Sequence, residues 1–318
     1  METTRGKRRY RQGRTRHHRS FLGGGSMFMA AILLMLLSTG CDKQPVSSTE
    51  APTATAGNMI LAVESSLREV AQDQAEIFQA HYPDANVVVR KVVPEDMLPA
   101  LLKKESGALL IGGSLTHIED SLLTHQAYRA RKEPVARDAI ICIVNRNSRV
   151  AALSLGDLAR MLSGKTNSGE YGRLLLADRN YRLLITLRDL MHTGDAELHA
   201  MLERSDSLVV ARTAREDATV GLLFLSSYKT LNLPGGIREQ VRIVPVSTAG
   251  DGSPAVRPAQ HHVYDGSYPL ATIVHYIYIP GNPLATGFGS WLSKEGQKGF
   301  ERSSLAPFRQ IPRTIILK

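Results

Sequence analysis

The feature that most constrains the fold is a regular alternation of two hydrophobic patterns that begins at residue 58. Short runs of aliphatic and β-branched residues, such as MILAV, NVVVRKV and ALLIG, alternate with segments whose apolar residues recur at helical spacing. Strands that alternate with helices are typical of βαβ units, in which helices cover a parallel sheet. The sequence therefore predicts an α/β fold.

Local signals mark where some of these helices begin and end. Ser66 followed three residues later by Glu69 has the pattern of a capping box and predicts a helix start after the run MILAV. Ser154 and Asp157 form a second such pair, and Gly164 predicts the end of the helix that they start.

One apolar run near the middle of the chain is unusually long, EPVARDAIICIVN at residues 133–145. This run predicts a strand long enough to cross between two lobes. After it we predict strands in YRLLIT, SLVVA, VGLLFL and VRIVPV, a helix near residues 194–204, and a final strand in YPLATIVHYIYI before helices around residues 283–302. Two lobes linked by crossing strands would place a cleft between them, where small ligands usually bind.

Near the amino terminus an apolar run stops at a cysteine. Met27–Leu37 contains eleven apolar residues, which suits a signal-peptide core and falls short of the ~20 residues of a membrane-spanning helix. Residues 1–20 carry eight Lys or Arg and one acid. The sequence LSTGC that ends at Cys41 resembles the lipobox of bacterial lipoproteins, in which the cysteine is acylated. The resemblance implies a signal peptide at residues 1–40, and the alternative is an ordinary signal peptide that contains a cysteine.

The residues after Cys41 are rich in Pro, Ser, Thr and Ala up to residue 57. Such a composition cannot bury a core, so we expect residues 41–57 to form a lipidated cysteine and a flexible linker. The expected location is the cell envelope, with the protein lipid-anchored to a membrane and facing the periplasm or the exterior. Cys142 lies in the apolar run AIICIVN and is expected to be a buried core residue.

The positive charge of the chain belongs mostly to the leader. The whole chain has a net charge of +9, and removal of residues 1–40 leaves 31 basic and 29 acidic residues, a net charge of +2. This charge is small and dispersed, which argues against binding to nucleic acid. The remaining chain of about 278 residues is long enough for one large core or two ordinary ones.

The order and spacing of motifs over residues 58–316 resemble the PstS-like phosphate-binding proteins, the solute receptors of ABC importers with a two-lobed, type II periplasmic-binding-protein fold. Residues 134–166 are similar to the family's hinge strand and following helix. The segment YDGSYPLATIVHYIY, 264–278, is similar to its second crossover strand, and residues 287–307 are similar to its closing helices.

The resemblance also implies a division into lobes. Lobe 1 would comprise residues 58–135 and 264–318, and lobe 2 would comprise residues 136–263.

Members of this family hold their anion with loops at helix starts, where free N–H groups and the positive end of the helix dipole face the ligand. The resemblance implies three such loops here. The candidate ligand-binding residues are Ser65 and Ser66 in the first loop, Ser114 in the second, and Arg188, His192 and Thr193 in the third. The family's Arg, three residues and Ser-Gly-Thr become Arg, three residues and His-Thr-Gly, so the spacing is kept while the chemistry changes. The second loop has no counterpart of the family's phosphate-contacting Asp.

Several candidates have a structural alternative. Ser66 and Thr193 are equally explained as helix caps, and Arg188 as a surface arginine. Asp138 lies in the crossing strand and is expected to brace the hinge. The spacing of the histidines does not form a zinc site, so we expect no metal and no cofactor.

We therefore predict a non-enzymatic, monomeric solute-binding lipoprotein. It captures an inorganic oxyanion, with phosphate as the first candidate, in an interlobe cleft by hinge closure. It then delivers this anion to the permease of an ABC importer. The alternative is a sensor or partner-binding module on the same fold with a degenerate anion pocket, which the altered third loop favours. A hydrolytic enzyme has the weakest case, because the sequence contains no Gly-x-Ser-x-Gly nucleophile elbow.

Overall fold

The computed structural model describes residues 51–125, 127–165, 172–178, 180–194, 199–249 and 253–310. The predicted signal peptide, the lipobox and Cys41 lie outside the described residues. No helix in the described part of the chain has the length and apolar character that a membrane crossing requires.

Strands and helices alternate through most of the described chain. The strands are β1 (Gly57–Val63), β2 (Ala85–Lys91), β3 (Ala108–Gly112), β4 (Arg131–Asn145), β5 (Leu153–Ser154), β6 (Arg173–Ala177), β7 (Ala200–Glu203), β8 (Thr219–Phe224), β9 (Val241–Val244), β10 (Val246–Ser247), β11 (Ala271–Tyr278) and β12 (Ala306–Pro307). The helices are α1 (Arg68–His81), α2 (Pro94–Leu102), α3 (His117–Thr124), α4 (Leu155–Leu162), α5 (Tyr181–Met191), α6 (Asp206–Thr213), α7 (Leu225–Thr230), α8 (Gln260–Asp265), α9 (Pro283–Leu292) and α10 (Gln297–Glu301). Two 3₁₀ turns lie at Ser65–Leu67 and Arg238–Gln240.

One large mixed sheet runs through the molecule. Its strand order is β2-β1-β3-β11-β4-β8-β6-β7, and β9 and β12 also pair with β4. In one half, β1 is parallel to β2 and β3, and β11 is antiparallel to β3 and β4. In the other half, β6 is parallel to β7 and β8, and β4 is antiparallel to β8 and β9. The predicted α/β class is confirmed.

Strand β4 connects the two halves of the sheet. Its residues 131–139 pair with β11, and residues 140–145 pair with β8 and β9. The long strand that the apolar run predicted is therefore confirmed. Cys142 lies in this strand, is fully buried and is a free cysteine.

Each half of the sheet has its own hydrophobic core. Around β1 to β3, an aromatic group packs α1 against α9, and the ring centroids of Phe78 and Phe288 are 5.0 Å apart. Around β6 and β8, a second core includes the buried carboxyl half of β4. All members of the described cores lie between Met59 and Ala306, so a chain that starts after Cys41 keeps every one of them.

Three sequence-based expectations in the second half are wrong. YRLLIT begins α5, SLVVA lies within α6, and residues 200–203 form β7 where a helix was expected. Apolar runs this short fit a buried strand and a buried helix face equally well, so periodicity alone does not separate them. Capping side chains mark these two helices, because Asn180 accepts from the Leu183 N–H and Ser205 from the Leu208 N–H.

The predicted helix caps have mixed outcomes. The capping box of Ser154 and Asp157 is confirmed, with both of its reciprocal bonds present. Gly164 follows the end of α4 with a φ of 68°, as a terminating glycine should. The capping box at Ser66 is wrong, because a 3₁₀ turn precedes α1 and no side chain caps the start of either element. That turn places Leu67 fully inside the core.

Asp138 ties β4 to the start of α7. Its carboxylate is buried and accepts from the Ser226 hydroxyl at 2.5 Å, from the Ser226 N–H at 3.2 Å and from the Ala139 N–H at 2.8 Å. Burial raises the pKa of Asp138 to about 6, against the opposing effect of the bonds from Ser226. These contacts support the expectation that Asp138 has a bracing role.

We expect Asp138→Ala to lower the free energy of unfolding by about 2–4 kcal/mol, because it leaves the hydroxyl and N–H of Ser226 buried without an acceptor. Denaturant titration followed by circular dichroism measures the change. Asp217→Ala is the matched control, since Asp217 is exposed and its loss should change stability by less than about 0.5 kcal/mol. Equal stability of the two variants would contradict the bracing role.

Candidate functional site

Three junctions between a strand and a helix meet beside the middle of the sheet. They are the end of β1 at residues 64–66, the end of β3 at residues 112–116, and the start of α5 at residues 180–182. The side chain of Arg182 joins them, because it contacts both Glu64 and the carbonyl of Ser114. Ligands of open α/β sheets bind outside the carboxyl ends of the strands, so this meeting point is the candidate site.

Arg182 is the centre of the site, and its side chain is fully buried. Nη1 and Nη2 donate to the two carboxylate oxygens of Glu119 at 2.7 and 2.9 Å, a bidentate pair. Nε donates to Glu64 Oε1 at 3.3 Å, and Nη1 also donates to the Ser114 carbonyl at 3.0 Å. The guanidinium carbon lies 4.9 Å from the centre of the Tyr181 ring. A single cation therefore links the segment after β1 and the segment after β3 to the start of α5.

Helix caps hold both members of the bidentate pair in place. Thr116 starts α3 with a capping box, in which Glu119 Oε2 accepts from the Thr116 N–H at 2.7 Å. That bond fixes the carboxylate in the first turn of α3, where Arg182 contacts both of its oxygens. Asn180 caps α5, so Arg182 also lies in the first turn of its helix.

A second contact, one turn further along α5, fixes the loop after β3. Thr186 Oγ1 accepts from the Ser114 N–H at 2.8 Å and donates to the Arg182 carbonyl at 2.7 Å. Gly113 has a φ of 78°, and a Cβ at this position would approach Thr186 Oγ1 to 2.3 Å. A side chain at position 113 would therefore push α5 away from the loop.

The two acids have opposite pKa shifts. Burial raises the pKa of Glu64 to about 7, although the charge and hydrogen bond of Arg182 act in the other direction. Burial acts on Glu119 in the same sense, but bonds from Arg182 and Thr116 outweigh it and hold the pKa of Glu119 below its ordinary value. Near neutral pH, Glu119 and Arg182 thus form the lasting ion pair, and Glu64 is the acid that gains or loses a proton.

The first two predicted loops lie at this site. Ser65 is exposed and Ser66 is partly buried, and both follow Glu64 directly in the 3₁₀ turn. Ser114 is partly buried, and both its N–H and its carbonyl are bound by α5. The sequence pattern indicates the two serines as donors and gives no role to Glu64, whose partner Arg182 lies 118 residues away.

The expectation that the third loop follows a strand is wrong, because the segment before it is α5. Arg188 lies in the last turn of α5, and His192 ends that helix in a left-handed conformation with a φ of 52°. These residues and Thr193 therefore lie at the end of α5, and ten residues of helix place His192 about 15 Å from Arg182. The third junction is the start of α5, and the signal that identifies it is Asn180 as a cap directly after a buried strand.

Comparisons with known proteins fit this architecture. Residues 48–295 match a family model described as a PBP superfamily domain. The chain is similar to a crystal structure from Clostridium perfringens, described as a phosphate ABC transporter substrate-binding protein with bound phosphate, with 16% identity and a TM-score of 0.61 over 80% of this chain and 100% of that one. It is also similar to an ABC-type phosphate transport receptor from Vibrio cholerae, with 15% identity and a TM-score of 0.59 over 78% and 99% of the two chains.

A third similar structure is PstS from Borrelia burgdorferi, with 14% identity and a TM-score of 0.53 over 80% of this chain and 99% of that one. The comparison with curated protein sequences finds no match. At these identities the likeness concerns the fold, and the predicted periplasmic-binding-protein-like fold is confirmed.

The raised pKa of Glu64 predicts a pH-dependent effect of Glu64→Gln on stability. Because the folded-state pKa of about 7 exceeds the ordinary value of 4.5, the folded protein retains a proton that the unfolded chain releases. Stability from this group therefore falls as pH rises from about 4.5 to 7 and stays low above that, a loss on the order of 3 kcal/mol. The uncharged variant lacks this loss, so relative to the wild type it should gain stability between pH 5 and pH 8.

Denaturant titrations at the two pH values measure this gain. Glu69→Gln is the control, since Glu69 is an exposed acid on α1 and its substitution should have the same small effect at both pH values. A pH-independent effect of Glu64→Gln would show that the carboxyl group does not titrate in this window.

Proposed function

This chain belongs to the PBP superfamily. We propose that it is a non-enzymatic solute-binding protein that captures an inorganic oxyanion, with phosphate as the first candidate, and delivers it to an ABC importer. The observation that carries the proposal is Arg182, a cation buried where three strand–helix junctions meet. The likeness to phosphate receptors gives support through the fold that they share.

The proposal divides the protein into lobe 1, residues 58–135 and 264–318, and lobe 2, residues 136–263. The shared strand β4 and the hydrophobic clusters support this division, because one cluster surrounds β6 and β8 and the two others lie around β1 to β3. Under it, every polar contact of the Arg182 guanidinium with Glu64, Ser114 and Glu119 joins lobe 2 to lobe 1. The described structure would then be a closed form, in which the carboxylates of Glu64 and Glu119 bind the Arg182 guanidinium in place of a ligand.

An oxyanion can replace one of these carboxylates, because its oxygens accept hydrogen bonds from the same guanidinium N–H groups. Glu64 is the partner that would be displaced, since its contact with Arg182 is longer than those of Glu119. A protonated Glu64 would donate a hydrogen bond to the anion, whereas an ionised Glu64 would repel it. Affinity should therefore depend on the protonation of Glu64.

The proposed ligand contacts are Arg182 together with the hydroxyls of Ser65, Ser66 and Ser114. The Ser66 hydroxyl does not cap α1, so that structural alternative no longer accounts for it. Arg182 takes the role that the motif spacing assigns to Arg188, because Arg188 lies near the far end of α5.

We also propose that Cys41 is lipidated after removal of residues 1–40, that the segment from Cys41 to the start of β1 forms the tether, and that the domain works outside the cytoplasm as a monomer. The lipobox and the Pro/Ser/Thr/Ala-rich segment support this part of the proposal. The permease of an ABC importer is the expected partner.

The second candidate is a sensor or partner-binding module with a degenerate anion pocket. The observation that favours it is the charge of the site, where two acids surround one cation. With both acids ionised, the cluster has a net charge of −1 before any anion arrives. Calorimetric titration with phosphate, sulfate and molybdate separates the two candidates, because the second predicts no binding of any of them.

Sulfate is the sharper probe for pH dependence, since its charge stays constant near neutral pH. We expect wild-type affinity for sulfate to be higher at pH 6 than at pH 8, because Glu64 ionises around pH 7. Glu64→Gln should bind equally at both pH values. Arg182→Lys should bind about ten- to a hundredfold more weakly at either pH, because the ammonium keeps the charge but loses the fork.

Arg188→Lys is the control at the other end of α5, and its affinity should stay close to that of the wild type. Unchanged affinity in Arg182→Lys, with the fold intact by circular dichroism, would place anion binding elsewhere in the protein.

A further inference from the structure

The edge of the sheet opposite the candidate site carries a positively charged hollow. This edge contains the start of β4 and the end of β11, and the hollow beside it has a volume of about 1000 Å³. Three cations line the hollow, Lys104, Arg129 and Arg131, and all three are exposed. No acidic residue is found among the described residues that line it. A polyanion or an anionic surface fits this charge.

The floor of the hollow is apolar. Leu102, Ala130 and Ile279 are partly buried there, and Tyr128 lies half-buried at the side. Cations around an apolar floor with a tyrosine match the chemistry of a bilayer surface, where phosphates lie above glycerol and acyl groups. An inorganic anion would make no favourable contact with the apolar floor.

Two of the cations stand in a backbone conformation that usually favours glycine. Lys104 has a φ of 62° and Arg129 a φ of 47°, and among the described residues only His192 is another non-glycine residue with positive φ. Lys104 directly follows α2 and its C-cap residue, where a left-handed residue ends many helices. A glycine would be less strained at both positions, so the chain keeps cations there despite a conformational cost.

The chain enters the described fold at this same edge. Asn58, at the start of β1, lines a neighbouring hollow that shares Lys104, Ile279 and Pro280 with the basic one. The neighbouring hollow adds one acid, Glu105, so the two together remain positive. The segment from Cys41 to Gly57 spans at most about 55 Å, which keeps this edge near a membrane that holds Cys41.

We propose that this edge is a docking surface for acidic phospholipid headgroups, with Lys104, Arg129 and Arg131 contacting the headgroup phosphates and Tyr128 at the level of the glycerol groups. This function goes beyond solute capture and uses a different edge of the sheet. The proposed tether serves only to bring the surface close to the bilayer, and the contact with lipid does not require acylation.

The test uses the chain from Asp42 onward, which lacks Cys41, the proposed site of acylation, and keeps all residues of the described cores. Co-sedimentation is measured with vesicles of phosphatidylcholine alone and with vesicles that also contain phosphatidylglycerol. We expect binding to the anionic vesicles only, and release at high salt because salt screens exposed charges. Binding to both vesicle types, or to neither, would overturn the proposal.

Two triple variants distinguish binding through the hollow from a general effect of the protein's net charge. Lys104→Gln/Arg129→Gln/Arg131→Gln should bind anionic vesicles about a hundredfold more weakly, since each basic residue near a charged bilayer contributes about fivefold. The control neutralises three exposed cations away from the hollow, at Arg68, Arg149 and Lys294. The control should bind like the parent chain, and an equal loss in both triple variants would overturn the proposal.

Glycerol phosphate distinguishes a membrane surface from a site for a small anion. An excess should leave the protein on the vesicles, whereas release would mean that the hollow binds the free headgroup and would overturn the membrane proposal. Sulfate titration of the hollow variant should match the parent chain, so the outcome here is independent of the candidate site at the opposite edge.

Discussion

The structure depends on the compensation of one buried cation. The Arg182 guanidinium has left water completely, a step that costs several kcal/mol unless charged partners replace the lost hydration. Those partners come from separate parts of the chain, with Glu119 after β3 and Glu64 after β1. The start of α5 therefore has one favourable position against the sheet, and the two strand ends are held with it. An oxyanion would accept hydrogen bonds from the same guanidinium N–H groups.

Two buried acids connect this arrangement to pH. Glu64 and Asp138 both have pKa values raised by burial, to about 7 and about 6. Asp138 lies where β4 changes its pairing from β11 to β8, and Glu64 lies where α5 meets β1. Both groups therefore titrate near neutral pH at contacts between the two halves of the sheet. In the proposed receptor, the protonation of Glu64 would couple ligand affinity to the acidity of the compartment.

Features with local signals could be predicted from the sequence. The βαβ rhythm gives the α/β class, and the run over residues 133–145 predicts β4 because a strand buried on both faces is continuously apolar. The capping box of Ser154 and Asp157 needs only four residues to form. The failures involve contacts with distant residues. YRLLIT has the composition of a strand, but six residues do not define a period. Ser66 does not cap a helix because the chain turns there to bury Leu67.

The candidate site shows the same contrast between features with a local signal and contacts between distant residues. Its first two loops follow strands and could be placed, but Arg182 has no local mark of its role. Its acidic partners lie 118 and 63 residues away, and only the assembled sheet brings them together. The spacing around Arg188 matched a known motif by sequence while belonging to the far end of a helix.

A double-mutant cycle between Arg182 and Glu119 tests the central claim most directly. Unfolding free energies are measured for the wild type, Arg182→Met, Glu119→Gln and the double variant. Each single variant leaves a buried charge without its partner and should lose about 3–5 kcal/mol, whereas the double variant should lose at least about 2 kcal/mol less than the sum. Losses that add within about 0.5 kcal/mol would contradict the claim that this ion pair holds the three junctions together.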